Sequence, residues 1–188
     1  MNSQEMTSYI YETDRLSFRG LCLSDIDGPY FHWFNDQDVC LHNSHGIFPS
    51  TRTKLSQYIE MLQKTNNNIV WAIIEKKRNI HVGNIALQGI NLSHQTAEFA
   101  ILLGDKSCWG KGYAAEAGEV LLTHGFKVAG LRRIHCGTSE HNVGMQKLAL
   151  KLGMVQEGVR RKALFENGEF VDLIEFGILK TEFDFNNI

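Results

Sequence analysis

The sequence predicts an α+β protein with a mixed, mostly antiparallel central sheet flanked by helices. Segments that alternate polar and apolar residues follow one another across short turns, as antiparallel hairpins require. Segments with a helical spacing of apolar residues interrupt this pattern at separate places. The chain has 188 residues, of which 43% are hydrophobic, and this suffices to bury one core. Since no internal repeat and no long linker divides it, we expect a single domain over residues 1–188.

The first third of the chain predicts one strand and two helices. Residues 15–21 alternate and indicate a strand. Ser24 is a candidate helix N-cap, and we expect that helix to continue through residues 31–34. Residues 42–50 then indicate a loop, and Thr51 or the serine before it begins a second helix with apolar residues at helical spacing.

The middle of the chain predicts a hairpin, a further strand and a long helix. Residues 69–75 and 80–87 indicate two strands around a short charged turn. Residues 96–104 indicate a strand that pairs with the preceding one. Residues 112–129 show helical periodicity, and Gly130 suits the stop after that helix.

The last segments continue the alternation of strands and helices. Residues 132–137 indicate a strand, and residues 142–152 a short helix closed by a glycine. Residues 154–161 and 170–179 indicate a terminal hairpin about an Asn-Gly turn. The predicted order is therefore β-α-α-β-β-β-α-β-α-β-β.

The composition and charge exclude several classes of protein. A formal net charge of -2 gives no general attraction for nucleic acid or anionic membranes. No apolar run reaches the roughly 18 residues of a membrane helix, and the polar N-terminus lacks the features of a secretory signal. Four widely spaced cysteines indicate reduced thiols, so we expect a cytoplasmic location. Cys40, His42 and His45 lack a fourth ligand at zinc spacing, so we expect no metal site.

The most informative stretch is the glycine loop at residues 104–117, G-D-K-S-C-W-G-K-G-Y-A-A-E-A. An apolar strand leads into a loop with Gly110 and Gly112, and the loop leads into an apolar helix. A helix N-terminus offers free backbone N–H groups and a partial positive charge. Glycines let this backbone approach a phosphate closely, and Lys111 adds a formal charge. The loop therefore suits a pyrophosphate group.

Spacing alone leaves the ligand of this loop open. A P-loop would end in Gly-Lys-Ser/Thr, which is absent. A dinucleotide fingerprint G-x-G-x-x-A is present at Gly110, Gly112 and Ala115, but it belongs in repeated parallel βαβ units, whereas the preceding strands are joined by short turns. A coenzyme A site and a plain strand-to-helix turn are the remaining alternatives.

A resemblance to a known family narrows the choice of ligand for this loop. The order of elements, with W-G-K-G-Y-A-A-E-A at residues 109–117, resembles the GNAT superfamily of acyl-CoA-dependent N-acetyltransferases from Arg15 to Phe183. It is similar to the branch that includes the bacterial ribosomal-protein N-terminal acetyltransferases. That branch has a segment like T-D-R-L-S-F-R, here residues 13–19, and K-L-G-hydrophobic at the end of a later helix, here residues 151–154. The family motif Q/R-x-x-G-x-G/A is met except at its first position, which is Ser107.

The resemblance implies the GNAT fold, acetyl-CoA as co-substrate and acetyl transfer to a primary amine. The family holds the pantetheine arm against a splayed strand, which corresponds to Phe99, Ile101 and Leu103. It holds the pyrophosphate at the glycine loop and adds an asparagine that begins the later helix. These coenzyme positions correspond to Ser107, Trp109, Gly110, Lys111, Gly112, Tyr113, Ala114 and Asn142.

The catalytic base implied by the resemblance is Glu98. Family members often place a glutamate there that acts through water, and burial can raise a carboxylate pKa enough to accept a proton near neutral pH. The alternative is a solvated strand glutamate paired with a basic neighbour. Glu116 is expected to have a structural or helix-dipole role, and His135 to lie in the core. Many relatives protonate the leaving thiolate with a tyrosine, and the matching residue here is Ala149.

The acceptor side is predicted from residues 30–39, Y-F-H-W-F-N-D-Q-D-V. They are similar to a W-x-N-D-x-x-V pattern in family members associated with amino-sugar and surface-polysaccharide synthesis. The polar loop after them suits hydroxyl-bearing groups, which favours a sugar. The alternative is a helix end, with Trp33 and Phe34 in the core and a turn after them. The predicted acceptor residues are Trp33, Asn35, Asp36, His42, Ser44 and His45.

The acceptor itself stays open in the sequence. It is expected to be a small molecule, a sugar nucleotide or a protein N-terminus that carries an amine, and the protein to be a monomer or a homodimer. Two other functions remain as alternatives. One is a non-catalytic acyl-CoA-binding module or sensor, and the other an NAD-binding domain.

Overall fold

One eight-stranded sheet organises residues 8–185, the part of the chain that the computed structural model describes. Its strands are β1 (Tyr11–Glu12), β2 (Leu16–Gly20), β3 (Ile69–Glu75), β4 (Ile80–Asn91), β5 (Thr96–Leu103), β6 (Arg133–Ser139), β7 (Val155–Glu166) and β8 (Glu169–Leu179). They lie in the order β1-β2-β3-β4-β5-β6-β8-β7. Within the described residues β5 and β6 form a parallel pair, and every other neighbouring pair is antiparallel. The predicted mixed, mostly antiparallel sheet is confirmed.

Four α-helices flank the sheet: α1 (Tyr30–Trp33), α2 (Arg52–Leu62), α3 (Tyr113–Lys127) and α4 (Val143–Lys151). The larger core lies between α3, α4 and one sheet face, where Phe99, Leu121 and Phe126 are fully buried. A second core lies on the opposite face, where α1 and α2 pack with Ala72 and Ile74 of β3. Because side chains alternate along a strand, the sheet supplies apolar residues to both cores. No helix among residues 8–185 is long and apolar enough to cross a membrane.

The predicted first helix, which begins at Ser24, is wrong. Leu23–Asp27 form a 3-10 helix that begins after Cys22, and the one-turn helix α1 follows after Pro29. Proline donates no backbone N–H, so a helix cannot continue through it. Tertiary contacts also fix the segment, because Asp25 is buried and accepts two hydrogen bonds from Arg19, at 2.8 and 2.5 Å.

Besides Arg19, the Asp25 carboxylate contacts a histidine of the sheet. Nδ1 of the buried His81 lies 3.4 Å from its Oδ1. Burial alone would raise the pKa of Asp25, but hydrogen bonds from Arg19 and His81 hold it well below its usual range. Arg19 and His81 therefore compensate a buried charge that would otherwise destabilise the fold.

The two-residue strand β1 was not predicted, and the remaining elements agree with the prediction apart from their ends. Thr51 caps α2 by accepting from the Lys54 backbone N–H at 3.2 Å. The chain leaves α3 through Gly130, whose φ is +68°. The terminal strands β7 and β8 are longer than predicted and meet at the Asn167-Gly168 turn, where both residues have positive φ. The predicted loop 42–50 contains a 3-10 turn.

The feature that positions the site is a gap between β5 and β6. The two strands pair in register only from Thr96 to Glu98 on β5 and from Arg133 to His135 on β6. Beyond these residues β5 remains paired with β4 as far as Leu103, and β6 remains paired with β8 as far as Ser139. The two strands therefore splay apart toward their C-terminal ends and leave a slot in the middle of the sheet.

Candidate active site

The slot exposes backbone groups along one edge of β5. The Gln95 carbonyl points to the β6 side, where it accepts from the backbone N–H of Arg133 at 3.2 Å. The Leu103 carbonyl accepts from the Trp109 indole N–H at 2.8 Å. Because backbone groups alternate between the two edges of a strand, those of Phe99 and Ile101 face the same open side. An extended ligand can therefore pair with this edge as another strand would.

The side chains of these β5 residues have a different role. Phe99 is buried in the larger core, and the partly buried Ile101 and Leu103 pack against it. The Leu103 carbonyl is already occupied by Trp109, a half-exposed residue that closes one end of the slot. Of the three predicted pantetheine positions, Phe99 and Ile101 lie beyond the last residue of β5 that pairs with β6.

The glycine loop brings free N–H groups together at the start of α3. Gly110 and Gly112 have φ of +72° and +80°, in the left-handed region that glycine adopts without strain. The first helical bond runs from the Glu116 N–H to the Gly112 carbonyl. Among residues 8–185, the N–H groups of Gly110, Gly112, Tyr113 and Ala114 therefore meet no acceptor. Such a cluster at a helix N-terminus binds an anion.

The two cationic side chains around the loop differ in their partners. Lys111 is exposed and makes no ion pair within the described residues, so its charge is available to a ligand. Arg78, in the turn between β3 and β4, is occupied by the loop itself. It donates to Asp105 at 2.9 Å and to the Ser107 hydroxyl at 3.3 Å. Ser107 thus contacts a guanidinium at the position where the family motif has a long polar side chain.

A second arginine holds the far side of the loop. Arg15 donates to the Lys111 carbonyl at 2.9 Å and to the Glu116 carboxylate at 2.6 Å, and Thr13 donates to the same carboxylate at 2.5 Å. The expected structural role of Glu116 is therefore confirmed. The Tyr113 side chain is buried and donates to Glu75 at 3.1 Å, so only its backbone faces the ligand. Hydrogen bonds from Arg78 and then from Tyr113 lower the pKa of Glu75 against the opposing effect of burial.

Asn142 caps the helix that follows β6. Its Oδ1 accepts from the Met145 backbone N–H at 3.1 Å, while its amide N–H₂ group has no partner among the described residues. Asn142 can therefore serve as a cap and a ligand donor together. Ala149, the residue at the position of the family's tyrosine, is completely buried in the core. The site thus lacks that acid for steric reasons as well as chemical ones.

Glu98 lies where the slot closes, and there the expectation of burial is wrong. Its side chain is exposed and makes no ion pair within residues 8–185, so the alternative of a paired glutamate is not met either. It lines a cavity of about 320 Å³ together with Arg133, His135, Glu157 and Glu175. The expected core position of His135 is also wrong, because its ring borders this cavity. The β6 side chains that alternate with it, not His135, enter the core.

The carboxylates that line the cavity outnumber its arginines, and both arginines are already paired. Arg133 makes a bidentate pair with Glu157, and Arg160 lies 2.9 Å from Glu175. Glu98 is the carboxylate without a basic partner. Cys136 also borders the cavity, but burial, assisted by the charge of Glu98, raises its pKa to about 12. The thiol is therefore protonated and is not a nucleophile at neutral pH.

The structure places the predicted acceptor residues in different surroundings, and Trp33 lies in the core. Trp33 is only 5% exposed and packs edge-on to His81 with ring centroids 4.9 Å apart. Its indole also fills the space beside Gly104, where any Cβ would collide with it. The expectation that Trp33 offers a stacking surface is wrong, and the alternative with Trp33 and Phe34 in the core is correct.

The other predicted acceptor residues lie on the loop between α1 and α2. Asn35 exchanges two hydrogen bonds of 3.0 Å with the backbone of Ser50, and Asp36 pairs with Lys106 at 2.9 Å. Ser44 is exposed at the start of the 3-10 turn. The His45 ring packs against Phe34, and this partial burial lowers the pKa of His45.

His42 instead faces a residue that the sequence did not indicate. Its Nδ1 lies 3.5 Å from Oε1 of Glu166 at the tip of the β7–β8 hairpin. Glu166 has no local motif that could have marked it, since only the tertiary fold brings the hairpin to this loop. Arg78 likewise lies in no sequence motif, whereas Arg15 belongs to the T-D-R-L segment that carried the resemblance.

Comparison with known proteins identifies the family. The model of the acetyltransferase (GNAT) domain matches residues 15–155. The chain belongs to the GNAT acetyltransferase family. The uncharacterized N-acetyltransferase p20 of Bacillus licheniformis is 29% identical over 177 residues, which cover 91% of this chain and 96% of that protein. A spermidine N(1)-acetyltransferase of Vibrio cholerae is 27% identical over 111 residues, 59% of this chain and 64% of that one.

The solved structures agree at the level of the fold. The structure of spermidine N-acetyltransferase from Vibrio cholerae in complex with CoA and spermine superposes with a TM-score of 0.82 at 21% identity. The match covers 90% of this chain and 98% of that one. This GNAT protein is therefore an N-acetyltransferase that uses acetyl-CoA. The NAD-binding alternative is wrong, because the sheet lacks repeated parallel units within the described residues.

Proposed function

We propose that this protein transfers the acetyl group of acetyl-CoA to a primary amine of a small cationic molecule, with Glu98 as the base. The observation that carries the proposal is the carboxylate of Glu98 at the closed end of the slot, which makes no ion pair within residues 8–185, whereas the other two carboxylates of the cavity are each paired with an arginine. A protonated amine is attracted to such a cavity, and the carboxylate that accepts its proton is already present.

The coenzyme fits the open edge of β5 and the glycine loop. The pantetheine arm would pair with the backbone of Phe99 and Ile101, and the pyrophosphate would accept from the N–H groups of residues 110–114. Lys111 adds the cation, and Asn142 offers its free amide N–H₂ group. These assignments use donors that the chain itself leaves unsatisfied, so binding would satisfy groups that water now solvates.

The chemistry requires one proton to leave the amine before attack. An alkylammonium group has a pKa of about 10, so most of the amine is protonated at neutral pH. Glu98, acting directly or through water, removes this proton, and the nitrogen then attacks the thioester carbonyl. The C–N bond forms, the C–S bond breaks and the thiolate leaves. Because Ala149 supplies no acid, the thiolate takes its proton from water that reaches the open slot.

A polyamine is the first acceptor to test. The sequence relative and the structural neighbour from Vibrio cholerae are spermidine N-acetyltransferases. A linear polyamine ends in a primary ammonium group, which suits the unpaired carboxylate of Glu98. The predicted preference for a sugar drew on the pattern around Trp33, and the burial of Trp33 takes this side chain away from the acceptor. A protein N-terminus, implied by the resemblance to the ribosomal-protein branch, is the second candidate.

A panel of amines tests this proposal. Thiol release from acetyl-CoA is measured with spermidine, an amino sugar, and a peptide with a free N-terminus, and the product mass confirms the site of acetylation. We expect kcat/KM for spermidine to exceed the others at least tenfold. Acetylation of the peptide or the sugar alone would refute a cationic small-molecule acceptor. Tight acetyl-CoA binding without acetylation of any amine would instead support the non-catalytic module.

A further inference from the structure

The loop between α1 and α2 crosses the mouth of the slot. We call residues 35–50 the strap. The two hydrogen bonds between Asn35 and Ser50 close its base. On one side, Lys106, three residues beyond the end of β5, lies 2.9 Å from Asp36 and 2.6 Å from Asp38. The strap is therefore attached to the end of the first splayed strand.

The other side of the strap is attached near the end of the second splayed strand. His42 approaches Glu166 at 3.5 Å, and Glu166 accepts a hydrogen bond of 2.7 Å from the hydroxyl of Ser139, the last residue of β6. His141, which directly precedes Asn142, lies 3.7 Å from the same carboxylate. The strap thus spans from the end of β5 to the end of β6.

The two attachments differ in strength. The aspartates that contact Lys106 are 34% and 73% exposed, and solvent weakens such pairs until they contribute little. Glu166 is only 10% exposed and Ser139 is buried, so the attachment through Glu166 is screened less. Val39 and Cys40 anchor one end of the strap in the second core, and of the two ionic attachments the one through Glu166 contributes more to its position over the slot.

The attachment is a direct contact between the His42 ring and the Glu166 carboxylate. His42 Nδ1 is buried and makes no hydrogen bond within the described residues, so Glu166 is the polar group that it approaches. The other groups that face Glu166 are His141, Ser139 and, opposite it in the hairpin, Glu169.

We propose that Glu166 is a positioning residue of the transferase, which holds the strap through His42 and the β6–α4 turn through Ser139. The inference rests on the proposed function, because the strap is taken to border the acceptor. Glu166→Gln removes the charge, keeps the shape and can still accept from Ser139, so the fold should survive. Glu60→Gln on α2 is the control, since Glu60 is exposed and makes no ion pair within residues 8–185, whereas Glu169 lies directly opposite Glu166 in the hairpin and is unsuitable.

The first measurement needs no substrate. Hydrogen exchange is followed in wild type, Glu166→Gln and Glu60→Gln at pH 6. We expect amides of the strap to exchange about fivefold faster in Glu166→Gln, the ratio that corresponds to loss of a weak ion pair, and to be unchanged in the control. Equal exchange in all three proteins would overturn the proposal, whatever the enzyme acetylates.

The second measurement is the steady-state kinetics of acetylation. We expect Glu166→Gln to raise the acceptor KM about fivefold at pH 6, with kcat and acetyl-CoA affinity within twofold of wild type. Glu166→Asp should recover part of the effect, and His42→Gln should add nothing to Glu166→Gln. Additive effects, or an acceptor KM equal to that of wild type, would refute the coupling through His42.

Discussion

Replacing Gly112 tests the coenzyme loop most directly, because the structure separates the cost to folding from the cost to binding. A Cβ at Gly112 would meet nothing closer than Arg15 Nη2 at 3.6 Å, which is an ordinary contact. The penalty of Gly112→Ala in the unliganded protein is therefore conformational, since φ is +80°. A non-glycine residue in this region costs about 1–2 kcal/mol.

Gly168 provides a matched control with the same backbone cost. Its φ is +89° at the hairpin turn, and a Cβ there would meet nothing within 4 Å. Gly168→Ala and Gly112→Ala should therefore each lower the free energy of unfolding by about 1–2 kcal/mol, as measured in urea. Equal losses of stability would show that any difference in binding comes from the loop.

Only the Gly112 variant should lose coenzyme affinity. Relaxation of the strain turns the N–H groups of residues 112–114 away from the pyrophosphate, and the new methyl group stands in its path. A hydrogen bond to a charged group contributes about 1.5–3 kcal/mol, so the Kd for acetyl-CoA should rise roughly 10- to 150-fold. Gly112→Val should bind more weakly still. Calorimetric titration that finds wild-type affinity in a folded Gly112 variant would show that the pyrophosphate binds elsewhere.

Three further changes have expected outcomes. Glu98→Gln should lower kcat by about 100- to 10,000-fold with little change in either KM, and initial rates within a few-fold of wild type would rule out Glu98 as the base. Replacing Asn35 and His45 together by alanine should change which amine is preferred, while the Kd for acetyl-CoA stays constant. A weaker acetyl-CoA affinity with an unchanged amine preference would mean that the coenzyme and acceptor ends of the slot are exchanged. Asp25→Asn should lower unfolding free energy at pH 7. The pKa of Asp25 is lower in the folded protein than in the unfolded chain. The stability that Asp25 contributes is therefore fully present above the unfolded pKa of about 3.9 and decreases as the pH falls below it. This part of the acid-induced loss of stability should be absent in Asp25→Asn.

Local patterns predicted the elements that local forces determine. The apolar spacing of α2, α3 and α4, the cap at Thr51 and the Asn-Gly turn each lie within a few residues of the structure they specify. The glycine loop was predictable because the positive φ of Gly110 and Gly112 and the free N–H groups are properties of one short segment. The first helix was not, because Asp25 within residues 23–27 is buried against His81 of β4, which is distant in the sequence, as well as against the nearby Arg19.

The acceptor side depends on contacts that no sequence window contains. Trp33 is buried because Gly104 leaves room for its ring, 71 positions away in a different element. Glu98 is exposed because β6 leaves β5 just beyond it, and the pattern A-E-F-A gives no indication of that separation. Glu166 meets His42 only once the hairpin and the strap are both in place. Motifs predicted the coenzyme side and could not predict the surroundings of the amine.

The hydrogen bonds from Thr13 and Arg15 to Glu116 join two stretches that are about a hundred positions apart, and this has a consequence for evolution within the family. A substitution at either end leaves the other without its partner, beside a loop whose shape sets coenzyme affinity. We expect relatives that lack an acidic residue at the place of Glu116 to lack the arginine at the place of Arg15 as well. The short N-terminal strands, which look peripheral in the sheet, should therefore change in step with the helix that follows the glycine loop.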